Sequence, residues 1–202
     1  MSNTPIIIGL TGLRQVGKSS IANHLVDNHG FRRLHPFEGG KVATRAWLEY
    51  LGADAEAAWR MTEGDLKETP SDLLPHNQTP RYFMEQFGHF MGVGLGPDWT
   101  IGRSLKLAKK DDAGSGRFII ESVVYEVEPV REEGGVIIKI AADRAKVTGL
   151  KTDIAVAQIV PDGTFMNEGF PKEELGARFD AFLAGMGISL PVLEEDHDFA
   201  LG

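Results

Sequence analysis

Eight residues constrain this chain more than the rest of it together. Gly12-Leu-Arg-Gln-Val-Gly17-Lys18-Ser19 satisfies the pattern G-x-x-x-x-G-K-[ST] at every defined position. The apolar, β-branched run before it, residues 5–10, reads as a strand buried on both faces. After it, Ile21, Ala22, Leu25 and Val26 recur at helical spacing, and Gly30 supplies a stop. A strand, a glycine-rich loop and a helix in that order make a concavity of backbone N–H groups backed by the positive helix end, which suits phosphate oxygens. Gly12, Leu13, Arg14, Gln15, Val16, Gly17, Lys18, Ser19 and Ser20 are therefore the candidate nucleotide-binding residues. Lys18 is expected to reach the β- and γ-phosphates and act in transfer, and the Ser19 hydroxyl to ligate Mg²⁺.

The remainder alternates strand and helix signals. Strands are expected at residues 117–124 and 135–140 with a helix at 126–133 between them, and a further strand at 154–160. A turn follows at 161–163, and Leu175, Phe179, Phe182, Leu183 and Met186 form the apolar stripe of a last helix. Helices are expected near 41–50 and 81–90. Pro70, Pro75 and Pro80 break the stretch between them, and Gly92, Gly94 and Gly96 read as a flexible turn rather than a dinucleotide fingerprint. The sum is an α/β, three-layer P-loop NTPase fold with about five parallel strands flanked by helices, and 202 residues suit one domain.

Composition removes several classes of chemistry. Without cysteine there is no disulfide, no thiolate nucleophile and no cysteine metal site. With 29 acidic against 21 basic residues, a formal charge of −8 and no basic tract, polymeric nucleic acid and membranes are poor partners. Anions must be held locally. The apolar runs are too short to span a bilayer and the first five residues lack a secretion signal, so a cytoplasmic location is expected. The six histidines show no metal-binding spacing and read as solvated or locally bonded.

A phosphate loop alone does not choose a reaction. Glu121, closing the second strong strand, is the candidate partner of Ser19 for the metal. Transfer to a small anionic acceptor needs a second cationic site facing the first. Arg81, opening a helix after Thr79-Pro80, leads for that role, supported by Lys41, Arg45 and Lys67. Trp99 is a candidate wall for a base.

Taken in order, these residues resemble the bacteriophage deoxynucleoside monophosphate kinases, a branch of the P-loop nucleoside monophosphate kinases. Besides the phosphate loop, the likeness runs through Lys67-Glu68, Thr79-Pro80-Arg81 with Gln86 and Gly88, Gly96-Pro97-Asp98-Trp99, residues 118–123 ending in Glu121-Ser122-Val123, Glu128, residues 134–140, Asp153 and Asp162-Gly163-Thr164. The resemblance implies Mg²⁺-dependent transfer from ATP to a deoxynucleoside monophosphate, giving the diphosphate. It also implies a core of about 1–35 and 115–202, a monophosphate-binding insertion over about 36–114, and a lid over about 141–152. Arg144 is favoured as the lid cation over Arg131, Lys139 and Lys146, and Asp162, Gly163 and Thr164 are expected near the adenine. A homodimer is compatible with the likeness.

Two positions depart from the family pattern: Val124 follows the acidic strand end where an arginine is expected, and none follows Gly88 until Arg103. Arg45 or Arg103 are candidate substitutes. Two other readings remain open: a kinase of another small metabolite, resembling dephospho-coenzyme A or shikimate kinases, with Glu38 or Glu121 as base, and a nucleotide-binding module without transfer. A panel of acceptors separates them.

Overall fold

Residues 5–111, 116–145, 147 and 151–191 are described by a computed structural model. Strands β1 (Ile6–Thr11), β2 (Arg32–Leu34), β3 (Arg117–Ile120), β4 (Val136–Ala141) and β5 (Gly163–Met166) form one parallel sheet in the order β2-β3-β1-β4-β5. β1 is central, with Ile8 level with Ile119 on one side and Val136 on the other. Alternation along each strand sends residues to opposite faces, and both faces are dry. Ile8, Leu10 and Ile138 pack with Ile21 and Leu25 of α1 (Lys18–His29) and with Phe179 and Leu183 of α8 (Lys172–Gly185). Ile7, Phe118, Ile120 and Ile137 pack instead with Leu105 and Ala108 of α5 (Arg103–Asp111) and Val130 of α6 (Val127–Glu132). This is the three-layer α/β architecture of the P-loop proteins, with the phosphate-loop sequence between β1 and α1.

Between β2 and β3 the chain forms α2 (Glu38–Tyr50), α3 (Ala55–Thr62) and α4 (Pro80–His89), which share a small core of Leu48, Ala58, Met61 and Leu74. The caps are local. The Asp54 carboxylate accepts from the Ala57 N–H at 2.7 Å, and the Thr79 hydroxyl accepts from the Tyr82 N–H at 3.2 Å with Pro80 in the first turn. The second cap fixes where α4 begins, and so where Arg81 stands. α5 packs through Leu105 and Ala108 into the sheet's own core.

Two expectations need correction. Residues 154–160 are not a strand: α7 (Lys151–Gln158) occupies most of the segment, burying Asp153 and Val156 while Ile154 is exposed. The β-branched residues suggested extension, yet the place beside β4 is taken by β5, whose Gly163 is level with Ile138. The glycines at 92–96 do not form a turn alone; Phe90–Leu95 and Asp98–Gly102 wind as wide, π-type helix and run into α5. β2 is too short and too polar to carry a strand signal, and it is placed by pairing with β3. Among the described residues, no helix is long and apolar enough to cross a membrane.

Candidate active site

The loop after β1 divides its own residues by direction. Val16 is buried in the core and Leu13 packs against that core. Gly12 and Gly17 adopt φ of 136° and 104°, which an L side chain rarely tolerates, and a Cβ on Gly17 would come within 2.6 Å of Asn167 Nδ2. Arg14, Gln15, Gly17, Lys18, Ser19 and Ser20 turn the other way and line an open cavity of about 680 Å³. Lys18 folds over the loop, donating from Nζ to the Gly12 carbonyl at 2.8 Å and the Leu13 carbonyl at 2.6 Å. Burial lowers its pKa to about 8, against the pull of Glu121 and with help from Arg14. A charge held at that cost in a phosphate-shaped loop is poised for an anion.

Ser19 and Glu121 come together. The Ser19 hydroxyl donates to Glu121 Oε1, although 102 residues separate them in sequence. Glu121 is positioned by the end of β3, where its N–H donates to the Leu34 carbonyl at 3.0 Å, and Ser122 then takes a left-handed φ of 66°. Hydroxyl and carboxylate oxygens are the donor set a hard cation such as Mg²⁺ takes, so the residues present fit that metal. Arg33 Nη1 lies 3.6 Å from Glu121 Oε2. Sequence reading missed Arg33, because only the β2–β3 pairing brings it to the acidic strand end.

A second cavity, of about 410 Å³, opens beside the first. Lys41, Lys67 and Arg81 supply its cations, and Phe37, Met84 and Tyr125 its apolar and aromatic wall. The cations are not free. Lys41 and Lys67 lie 3.2 and 3.8 Å from Glu63, which Arg45 also approaches at 3.5 Å, and Arg81 pairs with Glu68. Arg14 on the phosphate loop pairs with Glu85 of α4. Glu63 carried no signal in sequence, since its role depends on three elements converging. His35 lines the same cavity and accepts from the Phe37 N–H at 3.0 Å. Burial first, then Lys41, Lys67, Arg33 and Lys18, push its pKa down to about 4, so the ring is neutral at physiological pH. Deeper in, burial raises the Glu126 carboxyl above its ordinary value. It accepts at 3.0 Å from the N–H groups of Val124 and Tyr125, and from the Thr100 hydroxyl at 3.3 Å.

Other candidates fall elsewhere. Trp99 is 68% exposed and does not line the cavity; its neighbour Thr100 does. Arg45 lies 3.5 Å from Glu63 but lines neither cavity, and Arg103 is exposed outside both. Arg144 lines the phosphate-loop cavity and reaches toward Gly169, although residues 146 and 148–150 of the expected lid lie outside the described residues. Asp162, Gly163 and Thr164 are not beside the loop. Asp162 Oδ2 accepts from the Ile137 N–H at 2.7 Å and Oδ1 from Arg131 at 3.1 Å, at the amino end of β5. What reaches the loop is the other end of that strand, about 16 Å further along extended chain. There the Asn167 N–H donates to the Ala141 carbonyl at 2.7 Å, and its side-chain amide donates to the Val16 carbonyl at 2.9 Å.

The two cavities share a boundary. Ser19, Arg81, Glu121 and Ser122 line both, so a group bound in each would meet across those four residues.

No protein-family model matches this chain, and no curated protein matches it significantly. Solved structures give distant likenesses. TT1252 from Thermus thermophilus is 17% identical over 91% of this chain and 99% of its own, with a TM-score of 0.47. A protein from Chloroflexus aurantiacus is 14% identical over 92% and 99%, at 0.46. A sugar kinase from Janibacter sp. HTCC2649 is 12% identical over 92% and 96%, at 0.40. Likenesses this loose leave the chemistry to be argued from the site's own residues.

Proposed function

We propose that this protein transfers the γ-phosphoryl group of ATP to a nucleoside monophosphate, giving the diphosphate. The observation that carries the reading is the boundary common to the two cavities. A triphosphate seated on the loop from Arg14 to Ser20 would present its terminal phosphate at Ser19 and Lys18. A monophosphate held by Arg81, Lys41 and Lys67 would present its oxygens to the same boundary from the opposite side, the arrangement in-line displacement needs. Mg²⁺ held by Ser19 and Glu121 would neutralise charge on the phosphates.

The acceptor cavity favours this class over a simple hydroxyl acceptor. Its rim is cationic, and its wall of Phe37, Met84 and Tyr125 suits a flat, weakly polar ring. The ion pairs to Glu63 and Glu68 are the resting partners that an acceptor phosphate would replace. A phosphate acceptor already carries a nucleophilic oxygen, so no general base is required.

The test is a panel. The purified protein is given ATP and Mg²⁺ with each common deoxynucleoside and ribonucleoside monophosphate, and with hydroxyl acceptors including shikimate and dephospho-coenzyme A. Diphosphate formed from one or more monophosphates supports the reading. Turnover with a hydroxyl acceptor alone, or ATP binding with no acceptor-dependent release of ADP, would overturn it.

A further inference from the structure

A cluster at the other end of α1 is untouched by this chemistry. His24 and His29 project from the last turns of α1 toward Asp180 of α8, and one ligand atom from each lies within 4.8 Å of the others. His24 Nε2 is 2.8 Å from Asp180 Oδ2 and His29 Nε2 is 3.1 Å from the same oxygen. Spacing in sequence hides the group, since Asp180 lies 151 residues beyond His29.

The hydrogen bonds leave one contact unfavourable. His29 Nδ1 is 2.7 Å from the Pro191 carbonyl, which can only accept, so that nitrogen carries a proton. A neutral His29 then turns the lone pair of Nε2 toward a carboxylate oxygen, acceptor against acceptor. Among the described residues the other Asp180 oxygen, Oδ1, is buried with no hydrogen-bond partner, and His29 itself is largely buried. Either a second proton on the ring or a bound cation relieves that contact.

We infer that His24, His29 and Asp180 form a site for a divalent transition-metal cation of the zinc class, clamping α8 and the Pro191 segment onto α1. The donors are two imidazole nitrogens and a carboxylate, with water to complete a tetrahedron. The edges of such a tetrahedron run to about 3.3 Å for ligands about 2.0 Å from the ion, close to the two spacings observed. The Nδ1–H of His29 on a backbone carbonyl is the outer bond that leaves Nε2 free to ligate. His24 needs one rearrangement. Asn28 Nδ2 lies 2.8 Å from His24 Nδ1 and 3.2 Å from the His24 carbonyl, so its amide donates to both and His24 Nε2 bears the proton. On binding, that proton moves to Nδ1, and the exposed Asn28 side chain rotates to accept it through Oδ1. If His29 is protonated beforehand, it releases one proton. The seam is shaped for the ring, because any side chain on Gly176 of α8 would collide with His24. His24 and His29 stand about 9 and 16 Å along α1 from Lys18, so the site is a structural clamp rather than part of transfer.

The experiment uses the full chain stripped with a chelator and titrated with Zn²⁺ and, separately, Co²⁺. We expect one ion per chain, a tetrahedral cobalt absorption in the visible, and a melting temperature raised by about 5–10 °C at a hundredfold excess over Kd. His24→Gln and Asp180→Asn should each weaken binding at least tenfold. A ring-nitrogen NMR titration of the unaltered protein keeps the test open if a variant fails to fold: the His24 and His29 Nε2 resonances must shift on adding zinc. Uptake that leaves those resonances unmoved, uptake unchanged in the variants, or no uptake would overturn the site and leave a proton on His29 as the bridging cation.

Discussion

The two cavities that meet at Ser19 and Glu121 are built by opposite means. On the phosphate-loop side, backbone sets the shape: two positive-φ glycines, a helix start, and Asn167 pinning the loop through the Val16 carbonyl. On the acceptor side, shape and charge come from side chains. Lys41, Arg45 and Lys67 meet on Glu63, Arg81 on Glu68, and Arg14 reaches across to Glu85. Backbone geometry is paid for once, in folding, and stands ready. Ion pairs between long side chains can exchange partners, as the proposed binding and release of a small anion would require.

That contrast yields breakable expectations. Replacing Lys18 by Met should have the largest effect, lowering kcat by about 10³-fold or more through loss of charge at the transferring phosphate. It should leave the melting temperature unchanged or raised, because burial already holds the lysine's pKa near 8 and so disfavours its charged form in the empty fold. A destabilised variant with near-normal turnover would mean the loop is structural. Arg81→Ala should follow, cutting kcat/KM for the acceptor by about 10²-fold while ATP affinity changes by less than about threefold. Equal loss on both sides would erase the distinction between the cavities.

Next comes acid. His35 has a folded pKa of about 4 against an ordinary 6.5, so its neutral form is favoured by the fold. Its contribution is fully present above pH 6.5 and lost as pH falls through 4, worth up to about 3 kcal/mol and less with partial solvent access. Denaturant titrations between pH 7 and 4 should show that loss, and His35→Asn should flatten it. An unchanged slope in the variant would move the acid sensitivity elsewhere. Smallest of all, Trp99→Ala should leave stability within about 0.5 kcal/mol and acceptor KM within about twofold, because the ring is mostly exposed. A large rise in KM would place the indole over the acceptor.

The same contrast explains what the sequence could show. A phosphate loop is local, so eight consecutive residues with a strand before and a helix after point to it, and Glu121 stands out because strand ends are readable. The largely buried β1, β3 and β4 announce themselves by apolar runs. The acceptor side does not, because its residue types are ordinary and their meaning lies in convergence. Arg81 and Lys41 were legible as cations, but Glu63, Arg33 and His35 were not legible as partners. Residues 154–160 misled because local β-preference lost to a pairing place that β5 already filled. Asp162 misled by analogy, since a motif near a short strand does not say which end of that strand meets the loop.

The most direct measurement is binding of a dinucleoside polyphosphate, two nucleosides joined through five phosphates, which is long enough to occupy both cavities at once. If the cavities meet across Ser19, Arg81 and Glu121, one molecule per chain should bind more tightly than ATP, exclude both ATP and the acceptor monophosphate, and be weakened by Lys18→Met and Arg81→Ala alike. A ligand that displaces ATP while the monophosphate still binds, or that is indifferent to Arg81, would contradict the account.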